Sequence, residues 1–158
     1  MKKDLLAELV IKQLKKSGKT LSVAESITGG GLGAALTSIP GASEVFLGGV
    51  IAYSDTSKFK ILEVAKSILT KKSAVSEEAA KAMAESVRIK FKSDYAISTT
   101  GVAGPGKAYG QKAGTVWIGI ASKKEVVAVA LNLNGDRGEI RNATIESAFA
   151  TFSRIIAP

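Results

Sequence analysis

The 158-residue chain contains neither cysteine nor histidine. Without cysteine there is no disulfide framework, no thiolate metal site and no thiol nucleophile. Without histidine the commonest general base is gone, and a catalytic zinc would need an all-oxygen shell. Proline is scarce, with 3 residues, and aromatics make up only 6% of the chain. No apolar run approaches the roughly 18 residues needed to cross a bilayer. The start, Met1-Lys2-Lys3-Asp4, lacks the apolar stretch and cleavage site of a secretory signal. The expected setting is cytoplasmic, with no membrane partner. For covalent chemistry the sequence leaves hydroxyl nucleophiles, with lysine as the nitrogen base.

An apolar fraction of 46% over this length describes one globular domain with a real core. The formal charge of +8 raises nucleic acid as a partner. Its distribution argues against that. Lysines fall in pairs along expected helices and turns (Lys15-Lys16, Lys71-Lys72, Lys123-Lys124), and only four residues are arginine. There is no recognition helix or aromatic stacking platform, so the charge reads as a solvated lysine-rich surface.

Leu5, Leu6, Leu9, Val10 and Leu14 recur at helical spacing and predict an amphipathic helix over Lys3–Lys16. Leu21–Glu25 reads as a strand and Gly30–Ser38 as a helix stopped by Pro40-Gly41. Val45–Tyr53 is almost continuously apolar and predicts a strand buried on both faces. Ser54 or Asp55 can cap a short helix carrying Lys58, and Ser76 another whose apolar face is Ala80, Met83, Ala84, Val87 and Phe91. Tyr95–Thr100 reads as a strand, Thr115–Ser122 and Val126–Asn132 as a hairpin, and Glu139–Ile155 as a closing helix with Ile140, Thr144, Ser147, Phe152 and Ile155 near one stripe. Helices alternating with strands, then a hairpin, predict a single-domain, three-layer α/β/α sandwich with a mixed sheet.

The run Ala24-Glu25-Ser26-Ile27-Thr28-Gly29-Gly30-Gly31 places a serine where a strand ends and a helix begins. Backbone N–H groups freed there suit anions and oxyanions. Ser26, Tyr53 and Lys58 form a chemically sensible set: a hydroxyl nucleophile, a desolvated lysine to take its proton, and a tyrosine to relay or position. Spacing alone does not bring them together, and each has an ordinary alternative as helix cap, packed aromatic or solvated cation. Two glycine-rich turns, Thr28–Gly31 and Thr99–Gly106, offer open amides for a phosphate. Neither carries the lysine of a P-loop. Arg137 and Arg141 could add a cationic clamp.

Taken together, the blocks Ala24–Gly30, Pro40–Ser43, Phe46–Ser54, Ala74–Glu78, Thr100–Pro105, Gly114–Ile118 and Gly135–Arg137 resemble, in order and over nearly the whole chain, the CinA C-terminal domain family. The characteristic activity of that family is nicotinamide mononucleotide deamidation. The resemblance implies a Ser–Lys amidohydrolase of pyridine nucleotide salvage, with Ser26 as nucleophile, Lys58 as base and Tyr53 assisting. It also implies a nucleotide site drawing on Glu25, Thr28, Gly29, Gly30, Thr100, Gly101, Arg137 and Arg141, with no metal or organic cofactor, and a homo-oligomer. Longer family members carry an amino-terminal domain, so the expectation is a stand-alone deamidase domain over residues 1–158.

Ile27 stands where cysteine is common, and Lys107–Ala113 differs from the usual glycine- and proline-rich loop. The altered loop keeps open a Ser–Lys amidase acting on another small amide. A non-catalytic nucleotide-binding module and a nucleic-acid-associated protein are further alternatives, the first opposed by the presence of Ser26, Tyr53 and Lys58 together.

Overall fold

The computed structural model describes residues 2–158. In chain order the elements are α1 (Lys2–Ser17), β1 (Leu21–Glu25), α2 (Gly31–Thr37), a 3-10 turn (Ala42–Glu44), β2 (Phe46–Ile51), α3 (Asp55–Lys60), α4 (Lys66–Lys71), α5 (Glu77–Phe91), β3 (Tyr95–Gly101), β4 (Thr115–Ser122), β5 (Val126–Asn132) and α6 (Arg137–Ile155). The sheet order is β2-β1-β3-β4-β5. β1 runs parallel to both β2 and β3, while β3–β4 and β4–β5 are antiparallel. The sheet is therefore mixed, and helices cover both faces, as the alternation of elements predicts.

The two faces of the sheet differ in side-chain size, and this sets the layers. On one face Ile97, Val116, Ile118 and Ile120 meet Leu14 of α1, Leu32 of α2 and Phe149 and Phe152 of α6. Each fully buried phenylalanine contributes roughly 1.5–3 kcal/mol. On the other face Ala24, Ala96 and Ala121 meet Met83, Ala84 and Val87 of α5. Small residues there let α5 lie close to the sheet. A Cβ on Gly119 would fall 2.3 Å from the Ala80 carbonyl oxygen, and Ser98 Oγ donates to that same oxygen at 2.6 Å.

Helix starts follow local chemistry. Ser54 accepts from Ser57 N at the head of α3, Ser76 from Ala79 N at the head of α5, and Asp136 from Glu139 N at the head of α6. With Asp136 as cap, α6 starts at Arg137, two residues before the expected Glu139, and α4 was not foreseen. Among the described residues no helix is long and apolar enough to cross a membrane.

Three readings are corrected. β2 is an edge strand alternating half-buried and exposed residues, not one buried on both faces; Ile51 is 57% exposed. An apolar run carries no information on whether a second strand lies beyond it. In α1 the buried stripe is Ala7, Val10, Ile11 and Leu14, leaving Leu5 and Leu9 outside, because the apolar arc is wider than the surface α2 and α6 cover. In α6 the buried stripe runs through Ile140, Thr144, Ile145, Ala148, Phe149 and Phe152, with Ile155 exposed and Ser147 only half-buried.

Candidate active site

Three chain segments leave the carboxyl ends of parallel strands at the same place, the position where open α/β sheets bind ligands. β1 ends at Glu25, and Ser26 follows it. Ser26 is held by its backbone: its N–H donates to the Thr99 carbonyl of β3 at 3.0 Å, and its own carbonyl accepts from Gly29 N at 3.1 Å. β2 continues through Ala52, whose N–H donates to the Glu25 carbonyl at 2.9 Å, to Tyr53 and the Ser54 cap of α3. Lys58 then lies in α3 with its side chain turned inward.

Lys58 is 1% exposed, and its Nζ is 2.8 Å from Ser26 Oγ. The same nitrogen lies 2.9 Å from the Ala52 carbonyl and 3.4 Å from the Tyr53 carbonyl. These two carbonyls fix the ammonium end of a flexible side chain against the serine. Burial penalises the charged form and lowers the lysine to about 8, with the Asp55 carboxylate opposing part of the shift. A neutral amine, able to accept the Ser26 proton, is therefore accessible near neutral pH.

The dyad opens on a cavity of about 250 Å³. Ser26, Tyr53, Lys58, Thr100, Gly101 and Arg137 all line it, and among the described residues no carboxylate does. The far wall is the segment Gly104–Tyr109. Arg137 donates to the Gly104 carbonyl through Nη1 and to the Tyr53 phenol oxygen at 3.1 Å through Nη2. Tyr109 donates to Asp55 Oδ1 at 3.0 Å. Burial, then the adjoining Asp55 carboxylate, pushes the Tyr109 phenol up to about 12, so it remains a donor throughout the working range. Gln111 Nε2 donates to the Val75 carbonyl at 2.8 Å. Thr100 lines the cavity, yet its hydroxyl donates to the Ala74 carbonyl at 2.6 Å. At Gly101 a Cβ would come within 2.8 Å of the Thr115 carbonyl oxygen.

The remaining residues read from the sequence as substrate contacts do not line the cavity. Glu25 is buried and accepts from Thr28 Oγ1 at 2.6 Å, Leu32 N at 2.7 Å and Gly33 N at 3.1 Å. Its carboxylate occupies the start of α2, where a substrate phosphate was expected to sit. Thr28 is fully buried and also bonds Thr99 Oγ1. Gly29 and Gly30 carry φ of 54° and 103°, which serve the turn between β1 and α2. Arg141 donates to the Ile27 and Thr28 carbonyls at 3.1 and 3.2 Å. It braces the serine-bearing turn from α6 and forms no clamp with Arg137. Sequence reasoning gave Asp55 only a capping role and took Lys107, Tyr109 and Gln111 only as parts of an altered loop. No local pattern marks Tyr109 as a partner for a residue 54 positions away.

A second hollow, of about 350 Å³, lies at the opposite ends of the strands, beside Lys19, Asp94, Tyr95 and Lys123. Its serine hydroxyl, that of Ser122, bonds only the backbone of Lys124 and Glu125 among the described residues. Asp94 is matched there by Lys19 and Lys123.

A sequence profile of the CinA C-terminal domain matches residues 3–156. A CinA-like protein of Parasynechococcus marenigrum is 46% identical over 136 residues, covering 85% of this chain and 32% of the relative. The chain spans about a third of the length of the curated relatives it matches. Among solved structures, a CinA superfamily protein from Klebsiella pneumoniae superposes with a TM-score of 0.95 at 30% identity, covering 98% of this chain and 97% of that one. A competence/damage-inducible protein from Agrobacterium tumefaciens gives a TM-score of 0.95 at 30% identity, covering 99% and 97%. With its matched sequence, its fold and the order of its motifs in agreement, the chain belongs to the CinA C-terminal domain family.

Proposed function

We propose that this protein hydrolyses the carboxamide of nicotinamide mononucleotide to nicotinate mononucleotide and ammonia through a Ser26 acyl-enzyme. The observation that carries the reading is the 2.8 Å approach of a buried, pKa-lowered Lys58 amine to Ser26 Oγ at the floor of an open cavity. A serine alone is a poor nucleophile, and an adjacent neutral amine is what activates it. The cations Lys107 and Arg137 on the walls favour an anionic substrate such as a mononucleotide.

In this reading Ser26 Oγ attacks the carboxamide carbon as its proton passes to Lys58 Nζ. The tetrahedral intermediate collapses when Lys58 returns that proton to the amide nitrogen, releasing ammonia and leaving the Ser26 ester. Water then attacks the ester carbon, giving its proton to Lys58, and collapse of the second intermediate restores the serine hydroxyl and frees the carboxylate. Ser26 N–H is committed to the Thr99 carbonyl and is not the oxyanion donor. The next amide, that of Ile27, donates in none of the hydrogen bonds among the described residues. It occupies the position after the nucleophile that serves oxyanions in other serine hydrolases, where a well-placed donor contributes about 3–4 kcal/mol. Tyr53 assists by lending its carbonyl to Lys58 and its phenol to Arg137.

The test is ammonia release from nicotinamide mononucleotide by wild type, Ser26→Ala and Lys58→Met. Turnover by wild type that falls about 10³-fold or more in both folded variants is expected. A pure, folded wild type that releases no ammonia overturns the reading.

A further inference from the structure

Three cations line the cavity, and two of them are already engaged. Lys58 is held by Ser26, Ala52 and Tyr53. Arg137 spends two of its five N–H groups on Gly104 and Tyr53, bracing two walls of the cavity. Lys107 is exposed at the cavity and makes no hydrogen bond or ion pair among the described residues. The amides of Gly106 and Lys107 donate to no acceptor there either. At Gly106, with φ of 81°, nothing lies within 4 Å of a built Cβ, so its backbone is open to a ligand. An ammonium beside consecutive free amides makes an anion-binding concavity.

The segment is also held in place. Arg137 pins Gly104 on one side of Lys107. On the other, Tyr109 bonds Asp55, Gln111 bonds Val75, and Ala108 and Gln111 exchange backbone hydrogen bonds of 3.0 and 2.9 Å. A cation on a loop anchored on both sides meets a ligand with less ordering cost than one on a free loop.

We infer that Lys107, with the open amides of Gly106 and Lys107, is the subsite for the anionic group of the substrate and sets its preference for a phosphorylated amide. The inference rests on the proposed deamidation for its substrate, but its binding arm does not. Phosphate held at this wall leaves the carboxamide end of the ligand to reach Ser26 across the cavity.

The experiment compares wild type, Lys107→Met and Lys107→Arg in two measurements. The first is deamidation of nicotinamide mononucleotide and of nicotinamide riboside, which lacks the phosphate. The second is calorimetric binding of nicotinate mononucleotide, which needs no turnover. Lys107→Met is expected to raise KM for the mononucleotide and weaken nicotinate mononucleotide binding about tenfold, the loss of one charge-assisted contact. It leaves the riboside unchanged, and Lys107→Arg restores most of the loss. The wild-type advantage shrinks as salt is raised. Mononucleotide binding and KM unaltered by Lys107→Met overturn the subsite even where wild type is an active deamidase, and so does an equal loss on the riboside. Conversely, Lys107-dependent binding by a wild type that releases no ammonia upholds the subsite while the deamidase reading fails.

Discussion

Arg137 and Tyr53, 84 positions apart, are joined by a 3.1 Å hydrogen bond from a guanidinium nitrogen to the phenol oxygen. The first turn of the last helix is thereby tied to the strand end whose carbonyls orient Lys58. Because the two side chains act through one bond, their removal is not additive. Tyr53→Phe and Arg137→Met are each expected to lower kcat/KM, with the double variant no worse than the weaker single. The coupling between them is on the order of 1 kcal/mol, about fivefold. A double variant whose loss equals the product of the two single losses shows that the bond has no functional role.

The Lys58 amine predicts two pH profiles. In the proposed reaction its neutral form is the base, so the deamidation rate should rise with pH through about 8 and level off above. Since Asp55 holds the amine up, Asp55→Asn moves the inflection to lower pH. For stability the sign follows from the depressed value. Between about 8 and the ordinary 10.5 the unfolded chain binds a proton that the folded chain does not, so stability rises with pH across that window. Below it, the fold carries a charged-lysine burial cost on the order of 3 kcal/mol. Lys58→Met removes both the cost and the slope. Urea midpoints of wild type and variant should converge from pH 7 to pH 10; a constant gap contradicts the assignment.

Glu25 should behave as part of the fold. Its carboxylate takes two amides of α2 and the Thr28 hydroxyl in a buried setting. In Glu25→Gln the carboxamide presents N–H groups to some of those donors. A loss of roughly 2–4 kcal/mol is expected, with a Tm lower by several degrees. KM of the folded fraction should remain near wild type. Wild-type stability together with a KM raised tenfold reverses the assignment and makes the carboxylate a ligand for substrate.

Much was set by local chemistry. Absence of histidine and cysteine removed the imidazole base and the thiol nucleophile, leaving lysine as the nitrogen base and pointing to a hydroxyl nucleophile. Periodicity and capping residues placed the strands and most helices, because Ser54 and Ser76 satisfy amides only three residues away. The order of the family's motifs marked Ser26, Tyr53 and Lys58 as a group. Tertiary structure decided the rest, since each remaining question concerned partners distant along the chain. β2 lies at an edge because no strand pairs beyond it, which its own apolar run does not encode. Glu25 and Arg141 turn inward because α2 and the serine turn need their charges for unsatisfied backbone groups, and Thr28 because its hydroxyl bonds the Glu25 carboxylate and the Thr99 hydroxyl. The proposed base, Lys58, exists only because folding strips water from its amine and holds it 2.8 Å from Ser26, 32 residues away in sequence.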